Sequence, residues 1–168
     1  MLRASLETPL RRAAGGLLNN NNRGLPLGKI NLSRVILGGL VAGLVLNIGE
    51  FILNTFVIGE QSAAAMTRLG LPAIGSQQIV WFVVFGFLYG IWLVWLYAAI
   101  RPRFGAGVRT AIIAGLALWV AGALSSLSTT IAGVLPTSLT VTAIVWGLFE
   151  MPIATVVGAW LYKEESAA

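Results

Sequence analysis

Residues 34 to 58, RVILGGLVAGLVLNIGEFILNTFVI, stay apolar for the length of a bilayer crossing and yet hold a carboxylate, Glu50, near the middle. A spanning helix needs roughly 20 mostly apolar residues rising about 1.5 Å each, so this run reads as one crossing. A charged group inside such a run is costly, which marks Glu50 as a candidate for a task. Asn47 and Asn54 flank it at helical spacing, so the three polar side chains share a face with Gly39 and Gly43. The remaining positions are Val, Ile, Leu and Phe, suited to lipid.

Three more runs of the same kind follow, at 78–100, roughly 110–134 and roughly 139–162. The second carries Gly86, Tyr89 and Gly90 and meets Arg101-Pro102-Arg103, where proline is expected to stop the helix. The third carries Gly115, Gly122, Ser126, Thr129 and Gly133 down one stripe, and the fourth Ala143, Gly147, Glu150, Ala154 and Gly158. Helices in lipid approach one another along such small or polar stripes, because hydrocarbon tails give apolar side chains no contrast. Between the first two runs, residues 59–77 predict a loop with a short helix capped by Ser62 and ended at Gly70. With 57% hydrophobic residues, 10% charged residues and a mean hydropathy of +0.86, the chain is too apolar for a soluble globule. The predicted fold is all-α, a polytopic four-transmembrane-helix bundle.

The second and fourth runs also match each other at an offset of 65 residues (146 − 81), placing Ile79-Val80-Trp81 on Ile144-Val145-Trp146 and Trp95-Leu96-Tyr97 on Trp160-Leu161-Tyr162. Two-helix halves related in this way would run in the same sense about an axis along the membrane normal. Aromatic belts recur at bilayer spacing for their own reasons, so the sequence leaves both origins open.

Net charge is +5, and its placement argues for a membrane rather than nucleic acid. Lysine and arginine gather in the segment through Arg34, in the 101–109 loop and at Lys163, while the opposite side holds Arg68 alone. The positive-inside rule then puts both termini and the middle loop on the cytoplasmic side of a bacterial inner membrane, or on the matrix side of a mitochondrial inner membrane. Trp95, Tyr97, Trp160 and Tyr162 would belong to that interface, with Trp81 and Trp146 toward the other. The domain organisation is a basic arm over 1–33, the membrane domain over 34–162 and a short tail over 163–168. In the arm, Arg3, Arg11, Arg12 and Arg23 face a single acid, Glu7, and no apolar core of signal-peptide length precedes Ile30. The arm reads as a solvated tail, as a basic surface helix on anionic lipid, or as a transit peptide, and its arginines are candidate contacts to lipid or to a partner.

With neither cysteine nor histidine, thiol chemistry, the usual zinc sites, His-ligated haem and histidine bases are excluded, so the residues predict no enzyme, no metal site and no cofactor. What remains is a polar layer formed by Glu50 and Glu150, with Asn47, Asn54, Ser126 and Tyr89 placed at similar depths. Ionised or protonated carboxylates carry comparable costs in this setting, of about 3 to 4 kcal/mol. Each acid is therefore a candidate to exchange a proton or take a cation. Pro152 cannot donate to the carbonyl of Leu148, which leaves an oxygen free one turn from Glu150. The competing reading is interhelical hydrogen bonding alone, and a contact to an outside partner is a third.

From Lys29 onward the chain resembles a group of small four-helix bacterial inner-membrane proteins, through Gly38-Gly39-Leu40-Val41-Ala42-Gly43, Asn47 and Glu50 and through Trp95-Leu96-Tyr97-Ala98-Ala99-Ile100-Arg101-Pro102. The resemblance implies the fold and a bacterial membrane and brings no activity with it. The functional expectation is a transport or ion- or proton-coupled role centred on Glu50 and Glu150. The alternative is a non-catalytic accessory subunit of a larger membrane complex or a homo-oligomer.

Overall fold

A computed structural model describes residues 29–164, so the contacts expected of Arg3, Arg11, Arg12 and Arg23 lie outside the described residues. Within the unit Ile30–Glu164 every regular element is helical. Helix α1 (Leu32–Ile52) runs on into a π-helical turn, Leu53–Val57, and is followed by the short α2 (Gly59–Arg68). Helices α3 (Ser76–Phe104), α4 (Val108–Ile131) and α5 (Thr137–Ala159) complete the chain. Helices α1, α3, α4 and α5 are each long and apolar enough to cross a bilayer, with mean hydropathies of 2.1, 2.3, 1.9 and 1.6. Together they form a four-helix bundle of the membrane type.

Local chemistry sets the ends. Asn31 caps α1, its Oδ1 accepting from the Arg34 amide at 3.1 Å. Ser62 does not cap α2 as expected: it lies inside the helix, which begins at Gly59 directly after a bend at Ile58 (φ −117, ψ 2), the Ser62 amide donating to Ile58 O at 2.8 Å. The far end of α2 is closed by Gly70, whose φ of +67 favours glycine and whose amide reaches Thr67 O at 3.0 Å. Pro102 does not stop α3, which continues to Phe104. Proline costs one internal hydrogen bond there, and in a last turn, where carbonyls are already losing partners, the loss is easily borne. The stop is Gly105, with φ +85 and an amide donating to Arg101 O at 2.8 Å.

The small residues decide how the helices meet. A Cβ on Gly43 would lie 2.6 Å from Phe87 Cα, and one on Gly90 would collide with the backbone of Gly39 and Gly43, so α1 and α3 cross backbone against backbone. Gly38 and Gly158 do the same for α1 and α5, where a Cβ on Gly158 would lie 2.7 Å from Gly38 O. Gly115 meets Pro152 across the α4–α5 crossing, 2.8 Å from its Cα to an added Cβ. In sequence around the bundle the neighbours are α1, α3, α4 and α5, with α1 diagonal to α4. Gly122 and Gly133, from the stripe predicted for α4, meet nothing within 4 Å, and Gly133 lies beyond the helix with φ +74.

The two hairpins share some contacts at matching positions and differ at others, the acceptors Val83 and Ile144 standing 61 rather than 65 residues apart (144 − 83). Gly43 meets Phe87 as Gly115 meets Pro152, and Pro152 stands 65 residues after Phe87 (152 − 87). Four residues after each of these glycines a side chain donates across the crossing: Asn47 Nδ2 to Val83 O at 3.2 Å, and Trp119 Nε1 to Ile144 O at 2.8 Å. Tyr97 and Tyr162, also 65 apart (162 − 97), meet edge to face with ring centroids 5.9 Å apart. These tyrosines are only 4% and 5% exposed, so they do not sit in an aromatic belt as expected; they turn inward and close the end of the bundle that carries Arg101 and Arg103. Arg101 stacks over the Tyr162 ring and lies 3.4 Å from Glu164, while Tyr97 Oη accepts from the Gly107 amide at 3.2 Å. Trp81, Trp95 and Trp160 do face outward.

Candidate functional site

The upper half of α1, beyond its glycines, is polar along one side. Asn47 donates to Gly43 O at 2.8 Å as well as to Val83 O, and its side chain fills the space left by Gly86 of α3. One amide thereby satisfies a helix carbonyl and ties two helices, a contact worth about 0.6 to 2 kcal/mol in lipid. Asn47 is therefore an interhelical clasp between α1 and α3.

Glu50 lies one turn on and is exposed at the bundle surface. Its Oε2 accepts from Asn54 Nδ2 at 2.9 Å, and the same amide also reaches Glu50 O at 2.9 Å. A side chain competing for a helix carbonyl loosens the regular ladder. Here the ladder widens into the π turn immediately afterwards, where the Ile58 amide donates to Leu53 O at 2.9 Å. Such widened turns recur at functional positions in helices. Gly59 is needed beside it, since a Cβ there would stand 2.7 Å from Asn54 O.

Glu150 approaches the same level from α5. The contacts Gly38 to Gly158 and Gly49 to Glu150 show α1 and α5 running antiparallel, with register falling in one as it rises in the other. Glu150 is 8% exposed, packed against the Gly49 backbone, where any Cβ would overlap its carboxylate. Among the described residues neither its Oε1 nor Nε1 of Trp146, one turn earlier on α5 and within reach of the carboxyl, makes a well-formed hydrogen bond. Glu50 and Glu150 thus face the α1–α5 side at neighbouring depths, one held by Asn54 and the other buried with an open lone pair.

Ser126 and Tyr89 do not join them. By the Gly43–Phe87 register, Tyr89 stands level with the middle of α1, about nine residues or roughly 13 Å below Glu50 along the helix, and it is half exposed on the outer side of α3. By the Gly115–Pro152 register, Ser126 lies about as far from Glu150 in the opposite sense. The expectation of similar depths fails because residue counts from loop ends do not give the register in which α1 meets α3 and α4 meets α5. Pro152 also has a packing role against Gly115.

Among the described residues no ion pair involves either acid: the one found is Arg101 with Glu164, at the end of the bundle where the tyrosines meet. At the other end Arg68 donates to Val134 O at 2.9 Å, binding the end of α2 to the α4–α5 turn. No group of three or more His, Cys, Asp or Glu that could hold a metal occurs among the described residues. Trp119 and Trp146 were not anticipated as polar contacts, although Trp119 lies on the Gly115 stripe and Trp146 sits four residues before Glu150. Compared with known protein families, curated proteins and solved structures, the chain matches none.

Proposed function

We propose that the chain is an inner-membrane protein that moves or couples to a proton or small cation through Glu50 and Glu150. The observation that carries this reading is the buried Glu150 carboxylate, with an oxygen that makes no well-formed hydrogen bond, at the level of a second carboxylate and with no ion pair to either among the described residues. A carboxyl kept in hydrocarbon without a counter-ion is the kind of group that binds protons and cations in membranes. Reconstituted in liposomes with an internal pH dye, the wild-type chain is expected to dissipate an imposed proton or sodium gradient faster than empty vesicles. Glu150→Gln and Glu50→Gln should each return the rate to the empty-vesicle value while the protein remains folded. Equal rates for wild type and both variants would remove the reading.

The orientation that goes with it places both termini in the cytoplasm, on the strength of the charge asymmetry between the two ends of the bundle. A single cysteine introduced at Ala167 is expected to resist an impermeant maleimide in intact cells, and one at Ser62 to react. The reverse pattern would invert the topology. The glycine contacts at matching positions and the Tyr97–Tyr162 pair, 65 residues apart, are what supports descent from one duplicated hairpin.

A second reading, an accessory subunit of a larger membrane complex, draws on the outer side of α3, where Trp81, Phe82, Phe85, Leu88 and Trp92 are all more than half exposed. That density of aromatic surface suits a neighbouring protein as well as lipid. It predicts co-purification of a stable partner and silence of both glutamate substitutions.

A further inference from the structure

Between α1 and α5 runs a groove of about 700 Å³, walled by Val45 and Ile48 on one side and by Val145, Phe149 and Ile153 on the other. Ile48, Val145, Phe149 and Ile153 are each more than half exposed, so the groove opens sideways, toward the surface that faces lipid in a membrane bundle. Trp146 and Glu150 also line it. They bring the two polar atoms of this wall that make no well-formed hydrogen bond among the described residues, an indole N–H and a carboxylate oxygen one helical turn apart and within reach of each other. Buried polar groups are nearly always paired, so a donor and an acceptor left open beside an apolar space describe the ligand that closes both.

We propose that this groove binds an apolar molecule ending in a hydroxyl group, taken from the bilayer, with the hydroxyl seated between Trp146 and Glu150. A hydroxyl donates one hydrogen bond and accepts others, so one oxygen satisfies the Glu150 carboxyl and the Trp146 indole together. A plain hydrocarbon satisfies neither, an ammonium group has no lone pair for the indole, and an anionic head would meet the carboxylate. The volume lies within the roughly 300 to 1,000 Å³ of ordinary small-molecule sites, and the walls offer hydrocarbon to the rest of the molecule. The assignment shares Glu150 with the proposed proton or cation site, yet it requires only that residue 150 accept a hydrogen bond.

The test uses the full chain in phosphatidylcholine nanodiscs with isotope-labelled 1-dodecanol as the probe, and dodecane, dodecylammonium and empty nanodiscs in parallel. Dodecanol is expected to bind saturably, one per chain, about tenfold or more tighter than the other two probes. Trp146→Phe and Glu150→Leu should each weaken it by about tenfold, and Glu150→Gln, which keeps an acceptor, should bind nearly as the wild type does. Val145→Trp fills the mouth from an exposed position without touching the head-group pair, and it should abolish binding. Equal binding of dodecane, preference for dodecylammonium, or indifference to Val145→Trp would each overturn the proposal. Dodecanol binding by a chain that moves no proton or cation supports this assignment and removes the transport reading; movement without dodecanol binding overturns this one alone.

Discussion

Gly90→Val is expected to prevent assembly of the bundle. A Cβ at this position has no room to relax into: it meets Gly39 O and the backbone of Gly43, atoms held by the α1 helix itself rather than the tip of a side chain. Overpacking against side chains costs about 1 to 3 kcal/mol because they shift, and a clash with two backbone segments forces the whole α1–α3 crossing apart. In lipid no hydrophobic force restores the contact, since a separated helix is as well solvated by tails as by its partner. Separation also breaks the Asn47 to Val83 hydrogen bond one turn away, because that amide spans the same crossing. Unfolding in mixed micelles with increasing dodecyl sulfate, followed by circular dichroism and by protease resistance, should show the variant losing at least about 3 kcal/mol or never forming the compact state. Gly122→Val is the control. That glycine meets nothing within 4 Å, so the same change should be almost silent, and equal damage from both would show that the crossing is not what glycine protects.

The sequence makes this crossing partly visible and hides the rest for a physical reason. Apolar length alone finds four spans, because a bilayer admits little else; α3 contains the run expected of it, while α1 with its π turn, α4 and α5 end at Val57, Ile131 and Ala159, short of the ends expected at 58, 134 and 162. The ends were harder to read: Pro102 and Ser62 suggest a stop and a cap, but helix ends obey the hydrogen bonds of the neighbouring turn, as Gly105 and the π turn show. The stripes were legible as stripes while their partners were not. Gly115 and Gly122 look alike in sequence, and only the first faces another helix, since a helix in lipid carries no polar side to mark which way is out. The same ambiguity put Tyr89 and Ser126 in one layer with Glu50 and sent Tyr97 and Tyr162 to the interface when they close the bundle from within. Glu50 and Glu150 could be paired from sequence because both interrupt hydrocarbon. That Glu150 is buried and Glu50 exposed depends on the α1–α5 crossing at Gly38 and Gly158, which a single chain of letters does not specify.

The same crossing sets the second large effect. Glu50 and Glu150 are expected to titrate as a coupled pair, so that removing either carboxyl changes the titration of the other. Their neighbouring depths, the lack of an ion pair to either among the described residues and the burial of Glu150 leave little to screen one carboxylate from the other. Asn54 contributes an asymmetry, because its amide holds Glu50 Oε2 at 2.9 Å while Oε1 of Glu150 makes no well-formed hydrogen bond. The two protons therefore belong to the pair and leave in two steps rather than one. Infrared difference spectra of the protein in lipid across about pH 5 to 9, read at the protonated-carboxyl band, resolve those steps. Glu150→Gln should leave a single step at a new midpoint, and Asn54→Leu should displace both steps, because a change at Glu50 is felt by its partner. If these acids serve only as interhelical contacts, each variant will lose its own step and leave the other where it was. That result would end the case for a shared proton or cation between α1 and α5.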